Sequence, residues 1–394
     1  MRFQVEEICQ SVDCLFVNPN NSGLYQELAS DFSAIEPPTW ALLLAESCRS
    51  VGYDVAILDA EAERLPSKQV SRRIERENPR IVLFVVYGQN PNSGTTGMVA
   101  VEECLNELPP KKDRQFLVGV VGSHASAAPK DVLRLENVDF VLLNEGVYAL
   151  RNLLGHKNFA DWTQVKGIGH KISGPTGANF VLNEPEKVVP QDRMDLDLPG
   201  YAWDLLPYKK RPLDMYRAHF WHAGFDFEKR TPFAAIYTSL GCQFACDFCM
   251  INIVNRTDNR DHIDASHSNR MRFWSPSWVQ KQMQILADLG VKALRISDEM
   301  FFLNKKFYEP ILANAIDADY GFNMWTYSRI DTVRFDYLEL FKRAGVGWLA
   351  LGVEAGNQSV RQEVSKGSFK DVNIRDICDT VRQSDISVIS NYIF

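Results

Sequence analysis

Three cysteines fall within eight residues of one another in the stretch YTSLGCQFACDFCMIN (237–252). Cys242, Cys246 and Cys249 have the spacing C-x3-C-x2-C and follow a short apolar run that predicts a strand. A cubane iron–sulfur cluster held by four cysteines is coordinatively closed, whereas three thiolates leave one iron open to a substrate. The spacing therefore favours a catalytic cluster over a zinc site with a distant fourth ligand or a set of core cysteines.

The composition restricts the class of protein. Five of the eight cysteines stand singly in a chain of 394 residues, which does not resemble a secreted disulfide framework. The net charge of −7 and the pI near 5.6 argue against a nucleic-acid-binding surface. The longest apolar run, Ile81 to Tyr87, is far shorter than the ~20 residues of a membrane helix. Because the N-terminal MRFQVEEICQ is also too acidic for a signal peptide, we expect a cytoplasmic protein.

The N-terminal third alternates short apolar runs with helical patterns. The predicted strands are residues 14–17, 54–58, 81–86, 116–121 and 138–143. Between the first two, Trp40, Leu44 and Cys48 share one face of a helix that follows Pro37-Pro38 and ends at Gly52. This alternation predicts a Rossmann-like, doubly wound parallel sheet with helices on both faces. Such sheets bind ligands at the carboxyl ends of their strands, where this chain has loops rich in Gly, Asn and Ser.

A second alternating block begins just before the cysteines. Its predicted strands are residues 234–239, 293–297, 323–327, 348–353 and 388–393, and Ser275-Pro276 begins a helix that ends at Gly290. Repeated β/α units of this kind predict a barrel with its chemistry at the carboxyl ends of the strands. We expect a front domain over 1–190, a linker rich in Pro, Trp and Tyr over 191–231, and the barrel over 232–394.

Over nearly its whole length the chain resembles radical S-adenosylmethionine (SAM) enzymes that have an N-terminal cobalamin-binding domain. The cysteine triplet matches the family's motif, with Phe248 as the usual aromatic residue before the third cysteine. EPPTWALLLAESCRSVGYDVAILD (36–59), GSHAS (122–126) and VDFVLLNEG (138–146) resemble the family's cobalamin module. The resemblance implies a 4Fe-4S cluster, SAM and cobalamin as cofactors, and a (β/α)6 barrel. NYIF (391–394) lies where the family continues with a Gly-rich loop and a sixth strand, so we expect a partial barrel from a truncated sequence.

The resemblance also implies which residues contact SAM. SDEMF (297–301) looks like the family's acidic segment, which places Asp298 or Glu299 at the methionine amino group. Ser328 and Arg329 follow the third barrel strand, and Glu354 lies in GVEAG after the fourth, where the family contacts the SAM carboxylate and ribose. An acid, an arginine and polar strand ends complement the charges and hydroxyls of SAM.

In the front domain the resemblance implies cobalamin contacts from the loops at the strand ends. The candidate residues are Tyr87, Gln89, Gly122, Ser123, His124, Glu145 and Gly146. The first such loop reads NPNNSG (18–23) and lacks the family's cobalt-binding histidine, which predicts base-off cobalamin with no histidine on its lower face. Because NEGVY also replaces the family's G-E-G-E, a front sheet that has lost cobalamin is the alternative.

The activity that the resemblance implies is reductive cleavage of SAM, with an external electron donor of the flavodoxin or ferredoxin type. The resulting 5′-deoxyadenosyl radical removes hydrogen from a small-molecule substrate or biosynthetic intermediate, and cobalamin can deliver a methyl group. Methyl transfer is the favoured outcome. One alternative is a radical SAM cyclase or rearrangement enzyme whose front domain does not bind cobalamin. The other is a non-catalytic iron–sulfur or zinc module. Core packing is the preferred interpretation of Trp221, His222, Trp325 and Trp348, with substrate contact as the alternative.

Overall fold

The computed structural model contains a mixed seven-stranded sheet, a parallel five-stranded sheet and a short antiparallel ribbon of two strands. It describes residues 12–22, 31–87, 91–156, 161–174, 177–258 and 268–393. The predicted cobalamin contact Gln89 lies outside these residues. The predicted fold class, a doubly wound front sheet followed by β/α units, is confirmed.

The front sheet has seven strands in the order β2-β1-β3-β4-β5-β6-β7. They are β1 (Cys14–Asn18), β2 (Val55–Asp59), β3 (Ile81–Val86), β4 (Leu117–Gly122), β5 (Phe140–Leu142), β6 (Ile168–Gly174) and β7 (Gly177–Leu182). The first five are parallel and correspond to the five predicted strands. The last two extend the sheet as an antiparallel hairpin that the sequence analysis missed.

Helices cover both faces of the front sheet. They are α1 (Thr39–Arg49), α2 (Ser67–Glu77), α3 (Pro91–Glu107), α4 (Ser123–Ala127), α5 (Pro129–Arg134) and α6 (Val147–Gly155). The central strand β3 is buried throughout, with Ile81 and Leu83 in one apolar cluster and Val82 and Phe84 in the other. Since alternate side chains of a strand point to opposite faces, each face of the sheet has its own core.

The second sheet consists of five parallel strands in the order β14-β13-β12-β11-β8. They are β8 (Phe233–Ile236), β11 (Ala293–Ile296), β12 (Asn323–Arg329), β13 (Val346–Glu354) and β14 (Ser387–Tyr392), and β9 (Ser239–Leu240) pairs with β10 (Arg272–Phe273) as the ribbon. The helices of this part of the chain are α7 (Met194–Asp197), α8 (Pro276–Asp288), α9 (Lys305–Ala318), α10 (Leu338–Arg343), α11 (Gln358–Val364) and α12 (Ile374–Gln383). Within the described residues, β8 and β14 form the two edges of this sheet.

Helix α1 joins the two sheets. Its Trp40 ring stacks on Tyr87 at the end of β3, with ring centroids 4.6 Å apart, and meets Tyr237 after β8 at 6.5 Å. The Thr39 hydroxyl donates to the carbonyl oxygen of Ala235 at 3.2 Å. Because both sheets pack on this helix, nearly all of it is buried, and one apolar core runs through both domains. None of the described helices has the length and apolar character needed to cross a bilayer.

Gly122 ends β4 with a backbone that only glycine readily adopts. Its φ is +146°, and a β-carbon there would lie 2.1 Å from the carbonyl oxygen of Val86 on the neighbouring strand. We expect Gly122→Ala to lower the free energy of unfolding by about 3 kcal/mol or more, measured by urea denaturation. Gly52→Ala is the matched control, because Gly52 also has a positive φ of +92° but nothing within 4 Å of an added β-carbon. It should cost only about 1 kcal/mol, and equal losses in the two variants would contradict the crowding argument.

Candidate active site

The three cysteines lie on a loop between β9 and the 3-10 helix Ile251–Asn255. Cys242 is buried, and Cys246 and Cys249 are half-buried. The Phe244 N–H points to the Cys242 Sγ at 3.5 Å, and the Cys249 N–H donates to the carbonyl oxygen of Cys246 at 3.1 Å. Among the described residues no three His, Cys, Asp or Glu side chains are placed to hold a single metal ion. A cubane has a different requirement, because each of its thiolates binds a separate iron.

The three thiols lie within electrostatic reach of one another in a buried setting. Burial raises the pKa of Cys242 and of Cys249 to about 12, and backbone N–H groups of Phe244 and Ile251 oppose this rise. Burial also raises the pKa of Cys246, opposed by the Arg329 guanidinium. A bound cation would favour the thiolate over the thiol. Three adjacent thiols, with an N–H directed at one sulfur, therefore fit an iron–sulfur cluster.

The two neighbouring acids of the acidic segment have different environments. Asp298 is fully buried and accepts three hydrogen bonds of 2.6 Å, from the N–H and hydroxyl of Thr238 and from the Ser239 hydroxyl. Burial raises the pKa of Asp298 to about 6, and these donors oppose the rise. Asp298 thus fastens the end of β8, just before the cysteine loop, to the end of β11. Its acceptor sites are already used within the protein.

Glu299 faces the thiols instead. Its carboxylate lies within electrostatic reach of Cys242 and Cys249, and burial raises the pKa of Glu299 to about 8. The hydrogen bond to this carboxylate comes from its own backbone N–H, and the Arg295 guanidinium opposes the pKa rise. A half-buried carboxyl group with this little compensation is suited to pair with an incoming cation.

The Arg329 guanidinium is bonded to other groups of the protein. Its guanidinium bonds both oxygens of Asp331 at 2.6 and 2.8 Å and the Ser368 carbonyl oxygen at 2.7 Å. It also stacks on the Phe244 ring of the cysteine loop, 3.6 Å from the centroid. The adjacent Ser328 hydroxyl pairs with the Thr332 hydroxyl at 2.9 Å. The structure thus gives both predicted SAM contacts a supporting role, and Arg329 supports the cysteine loop.

Glu354 ends β13 with a left-handed backbone conformation, φ +65°. A β-carbon on Gly352 would lie 2.5 Å from the Glu354 carboxylate, so the side chain folds back over the end of its own strand. Burial raises the pKa of Glu354 to about 7, and Arg329 opposes the rise. Glu354 lies within electrostatic reach of Cys246 and Cys249. Phe248, on the cysteine loop, keeps 39% of its surface exposed.

In the front domain, Tyr87 follows β3 and lies beside Trp40 of α1. Its buried hydroxyl finds no hydrogen-bond partner among the described residues and is within electrostatic reach of Glu299. At the end of β4, the buried Ser123 hydroxyl also lacks a partner in the described part of the chain. The His124 Nδ1 is 3.3 Å from the Thr95 hydroxyl, and burial lowers the pKa of His124. Polar groups without partners therefore gather at the carboxyl edge of this sheet, where the sequence predicts a ligand.

Glu145, one of the predicted cobalamin contacts, is bonded to protein groups in the structure. Its carboxylate is buried, accepts the Val189 N–H at 2.7 Å and pairs with the Arg272 guanidinium of the barrel domain at 2.6 Å. Both oxygens are thus occupied by protein. The neighbouring Gly146 has a φ of +78° and begins α6, which explains its glycine by backbone conformation.

Sequence reasoning missed a group of buried polar residues behind the cysteines. They are Asn252, Asn255 and Arg272, which lie within residues 251–273, a segment rich in Asn, Asp, Arg and His. For Asn252 and Asn255, the signal available in the sequence was their position three and six residues after the third cysteine. The packing interpretation of Trp221 and its neighbours fits the structure, since its ring lies 4.9 Å from that of Trp325 and 4.7 Å from that of Trp348.

Two family models match the chain. The B12 binding domain matches residues 28–154, and the Radical SAM superfamily matches residues 236–394. The three cysteines, Glu299, Arg329 and Glu354 all lie in the second match, and Tyr87 lies in the first.

Several proteins can be aligned with most of this chain, although their sequence identity to it is low. The chain is 23% identical over 360 residues to an uncharacterized methyltransferase of Pyrococcus horikoshii. The aligned region covers 91% of this chain and 69% of that protein. It is 21% identical over 368 residues to an anaerobic magnesium-protoporphyrin IX monomethyl ester cyclase of Synechocystis, and 23% identical over 380 residues to one of Rubrivivax gelatinosus. The chain spans 64% and 59% of the lengths of these two cyclases.

Solved structures share the fold. The radical SAM methyltransferase TsrM of Kitasatospora setae, solved with cobalamin and a [4Fe-4S] cluster, aligns with a TM-score of 0.69 at 16% identity, over 98% of this chain and 70% of that one. The cobalamin-dependent SAM radical enzyme OxsB, solved with aqua-cobalamin, aligns with a TM-score of 0.67 at 17% identity, over 98% of this chain and 50% of that one. At these identities the likeness establishes the arrangement of the elements.

The different environments of Asp298 and Glu299 lead to opposite expected effects. Asp298→Asn places an amide against donors that need an acceptor, and we expect it to lower the free energy of unfolding by about 2–4 kcal/mol. Glu299→Gln should change that free energy by about 0.5 kcal/mol or less, yet weaken SAM binding about tenfold to a hundredfold through loss of a charge-assisted contact. Urea denaturation and isothermal titration with SAM measure the two effects. Unchanged SAM affinity in Glu299→Gln would remove Glu299 from the site.

Proposed function

Because the chain belongs to the cobalamin-binding radical SAM family, as the sequence predicted, we propose that it is an enzyme that cleaves SAM reductively at a 4Fe-4S cluster and methylates an unactivated carbon of a small molecule. One observation carries this proposal. The three thiols lie within electrostatic reach of one another, Glu299 lies within reach of Cys242 and Cys249, and Glu354 lies within reach of Cys246 and Cys249. These five groups define what we call the mouth of the site. The front domain contributes Tyr87 to the edge of the same mouth.

In this proposal, some residues of the mouth would bind the cofactors and others keep the cysteine loop in position. The three thiolates would bind three irons of the cluster, and Glu299 would pair with the methionine ammonium of SAM. Glu354, at the end of β13, would accept from the ribose hydroxyls, as the resemblance implies. Arg329 keeps the cysteine loop in place through Phe244 and remains a candidate for a longer-range attraction to the SAM carboxylate. When bound, the cluster and SAM supply the carbon radical and cobalamin supplies the methyl group.

The front domain is suited to cobalamin at the edge formed by the ends of β3 and β4. The unpartnered hydroxyls of Tyr87 and Ser123 offer hydrogen bonds to a polar ligand, and Gly122 and Gly146 are kept as predicted contacts beside them. His124 is held beside Thr95. We keep Gln89 as a predicted contact. The loop after β1 contains no histidine, so these residues would hold base-off cobalamin.

Cyclisation is the second candidate function. The chain's similarity to two anaerobic cyclases extends over 91% and 92% of its length, as broad as its similarity to the named methyltransferase. SAM labelled with ¹³C in its methyl group separates the two candidates with any accepted substrate. Methyl transfer places the label in the product, whereas a cyclase releases it only in methionine.

The proposed chemistry also indicates the compartment, the electron donor and the class of substrate. A cluster held by three cysteine thiolates requires a reducing compartment, so we propose a cytoplasmic location. The electron for SAM cleavage would come from an external flavodoxin or ferredoxin type of donor, and the substrate would be a small molecule or biosynthetic intermediate.

Each cysteine of the triplet should be required for the cluster. We expect Cys246→Ala to lose most of the iron and the SAM-induced change in the EPR signal after anaerobic reconstitution, because two protein thiolates hold a cubane poorly. Cys378→Ala is the control, since Cys378 lies on α12, outside the triplet, with its sulfur 4.0 Å from the Ser390 hydroxyl, and it should keep the wild-type spectrum. Full cluster content and SAM cleavage in Cys246→Ala would refute the assignment, and a wild-type protein that binds zinc alone would support the non-catalytic module.

The front domain should bind cobalamin without a protein histidine on cobalt. Titration of the purified protein with hydroxocobalamin should show micromolar binding and the absorption and EPR spectra of a base-off form, with no hyperfine coupling to a histidine nitrogen after reduction to cob(II)alamin. The absence of micromolar binding, with the circular dichroism spectrum of the intact fold, would favour a front sheet that has lost cobalamin. Proposed SAM cleavage would be unaffected by that result.

A further inference from the structure

Asn252 holds the turn that contains the first cysteine. Its Oδ1 accepts the Cys242 N–H at 2.8 Å, and its Nδ2 donates to the Phe244 carbonyl oxygen at 3.1 Å. These two bonds fix the backbone on both sides of Gln243. In the resulting turn the Phe244 N–H is directed at the Cys242 sulfur. The orientation of this N–H therefore depends on the Asn252 side chain.

Asn255 connects Asn252 to the ribbon strand β10. Its Nδ2 lies 3.4 Å from the Asn252 Oδ1 and 2.6 Å from the Arg270 carbonyl oxygen, and its Oδ1 accepts from the Arg272 Nε at 2.9 Å. The fit is close, since a β-carbon on Gly241 would lie 2.0 Å from the Asn255 Nδ2. The position of Asn255 is therefore set by the groups around it.

Arg272 carries the connection into the front domain. Besides Asn255, its guanidinium bonds the carbonyl oxygens of Val189 at 2.6 Å and Val254 at 3.2 Å, and pairs with Glu145 at 2.6 Å. Glu145 follows β5 of the front sheet. The result is a continuous path of polar contacts from Glu145 through Arg272, Asn255 and Asn252 to Cys242, which we call the Glu145–Asn252 chain.

Every side chain of the Glu145–Asn252 chain is buried. Glu145, Arg272, Asn255 and Asn252 expose between 1% and 3% of their surface. A buried ion pair contributes little net stability compared with apolar side chains of the same size, but its geometry is highly specific. Here that geometry links a loop of the B12-binding domain to a cysteine of the other domain.

We propose that Glu145, Arg272, Asn255 and Asn252 are positioning residues that transmit the docking of the front domain to the cluster cysteine Cys242. This inference rests on the proposed cluster at the three cysteines. An N–H directed at a cluster sulfur stabilises the reduced, more negative state and so raises the reduction potential. Disturbance of the chain at its remote end should therefore turn the Phe244 N–H away from the sulfur and lower the midpoint potential of the cluster.

The test compares remote variants of the chain with a buried ion pair elsewhere. Glu145→Gln removes the charge at the front-domain end, and Arg272→Lys keeps a cation but cannot bond Asn255, Val189 and Val254 together. Asp139→Asn is the matched control, because it breaks the equally buried Arg114–Asp139 pair within the front domain, whose atoms lie 2.9 Å apart.

The experiment measures hydrogen exchange and cluster reduction, and neither measurement depends on catalytic turnover. In the apoprotein, hydrogen exchange of the peptide that contains Cys242 and Phe244 should be about fivefold to tenfold faster in Glu145→Gln and Arg272→Lys, as expected for loss of one buried hydrogen bond. After reconstitution, both variants should show a lower midpoint potential and altered g values of the reduced cluster. Asp139→Asn should match the wild type in both.

The outcomes separate this inference from the proposed function. Wild-type values in Glu145→Gln and Arg272→Lys, or an equal change in Asp139→Asn, would overturn the positioning role while SAM cleavage by the wild type still stood. If Glu145→Gln does not fold, Arg272→Lys alone decides, because it retains a positive charge opposite Glu145. If the wild type assembled no cluster, the proposed function would fail, and the hydrogen-exchange result on the apoprotein would still decide whether the chain positions Cys242.

Discussion

The cysteine loop has backbone groups that no strand or helix satisfies, so buried side chains have to bond to it. Asp298 bonds the chain just before the loop, Asn252 bonds Cys242 and Phe244 within it, and Arg329 stacks on Phe244 from the end of β12. Each of these groups is buried. A loop held by charged and amide groups in this way keeps a defined shape that apolar contacts alone would not specify.

The loop also needs both domains in place. Helix α1 is packed against the front sheet through Trp40 and against the barrel through Thr39. A helix buried on both sides leaves the two sheets little freedom to move apart without exposing a shared apolar core. The carboxyl ends of β3 and β8 consequently lie close together, and Tyr87 and Tyr237, which follow these strands, are both within electrostatic reach of Glu299.

Some polar groups at this mouth remain without partners, at a cost in stability. A buried hydroxyl with no hydrogen bond costs about 1–3 kcal/mol, and the hydroxyls of Tyr87 and Ser123 are both in this state within the described residues. Burial likewise disfavours the ionised form of Glu299. Such groups concentrate where proteins bind ligands, since the ligand supplies the missing partners. Their location at the ends of parallel strands agrees with the general rule for α/β sheets.

The sequence by itself determined the features that depend on local order. The C-x3-C-x2-C spacing, the apolar runs of the parallel strands and the position of Glu299 and Glu354 at strand ends were all readable, because spacing and period are properties of the linear chain. The hairpin β6–β7 was not, since its pairing with β5 depends on residues far away in sequence. Helix α1 reads as one-sided, and only its position between two sheets buries the rest of it.

Tertiary structure alone decided which polar residues bond to protein groups and which are left without such bonds. Asp298 and Glu299 are neighbours of the same type, but successive residues point in different directions, so one bonds Thr238 and the other faces the thiols. Glu145 reads as a cofactor contact, but its charge is neutralised by Arg272, which the fold brings in from the other domain. A sequence shows which side chains carry a charge. The partner of each charge is set by long-range packing, because a buried charge requires compensation from whatever group the fold places beside it.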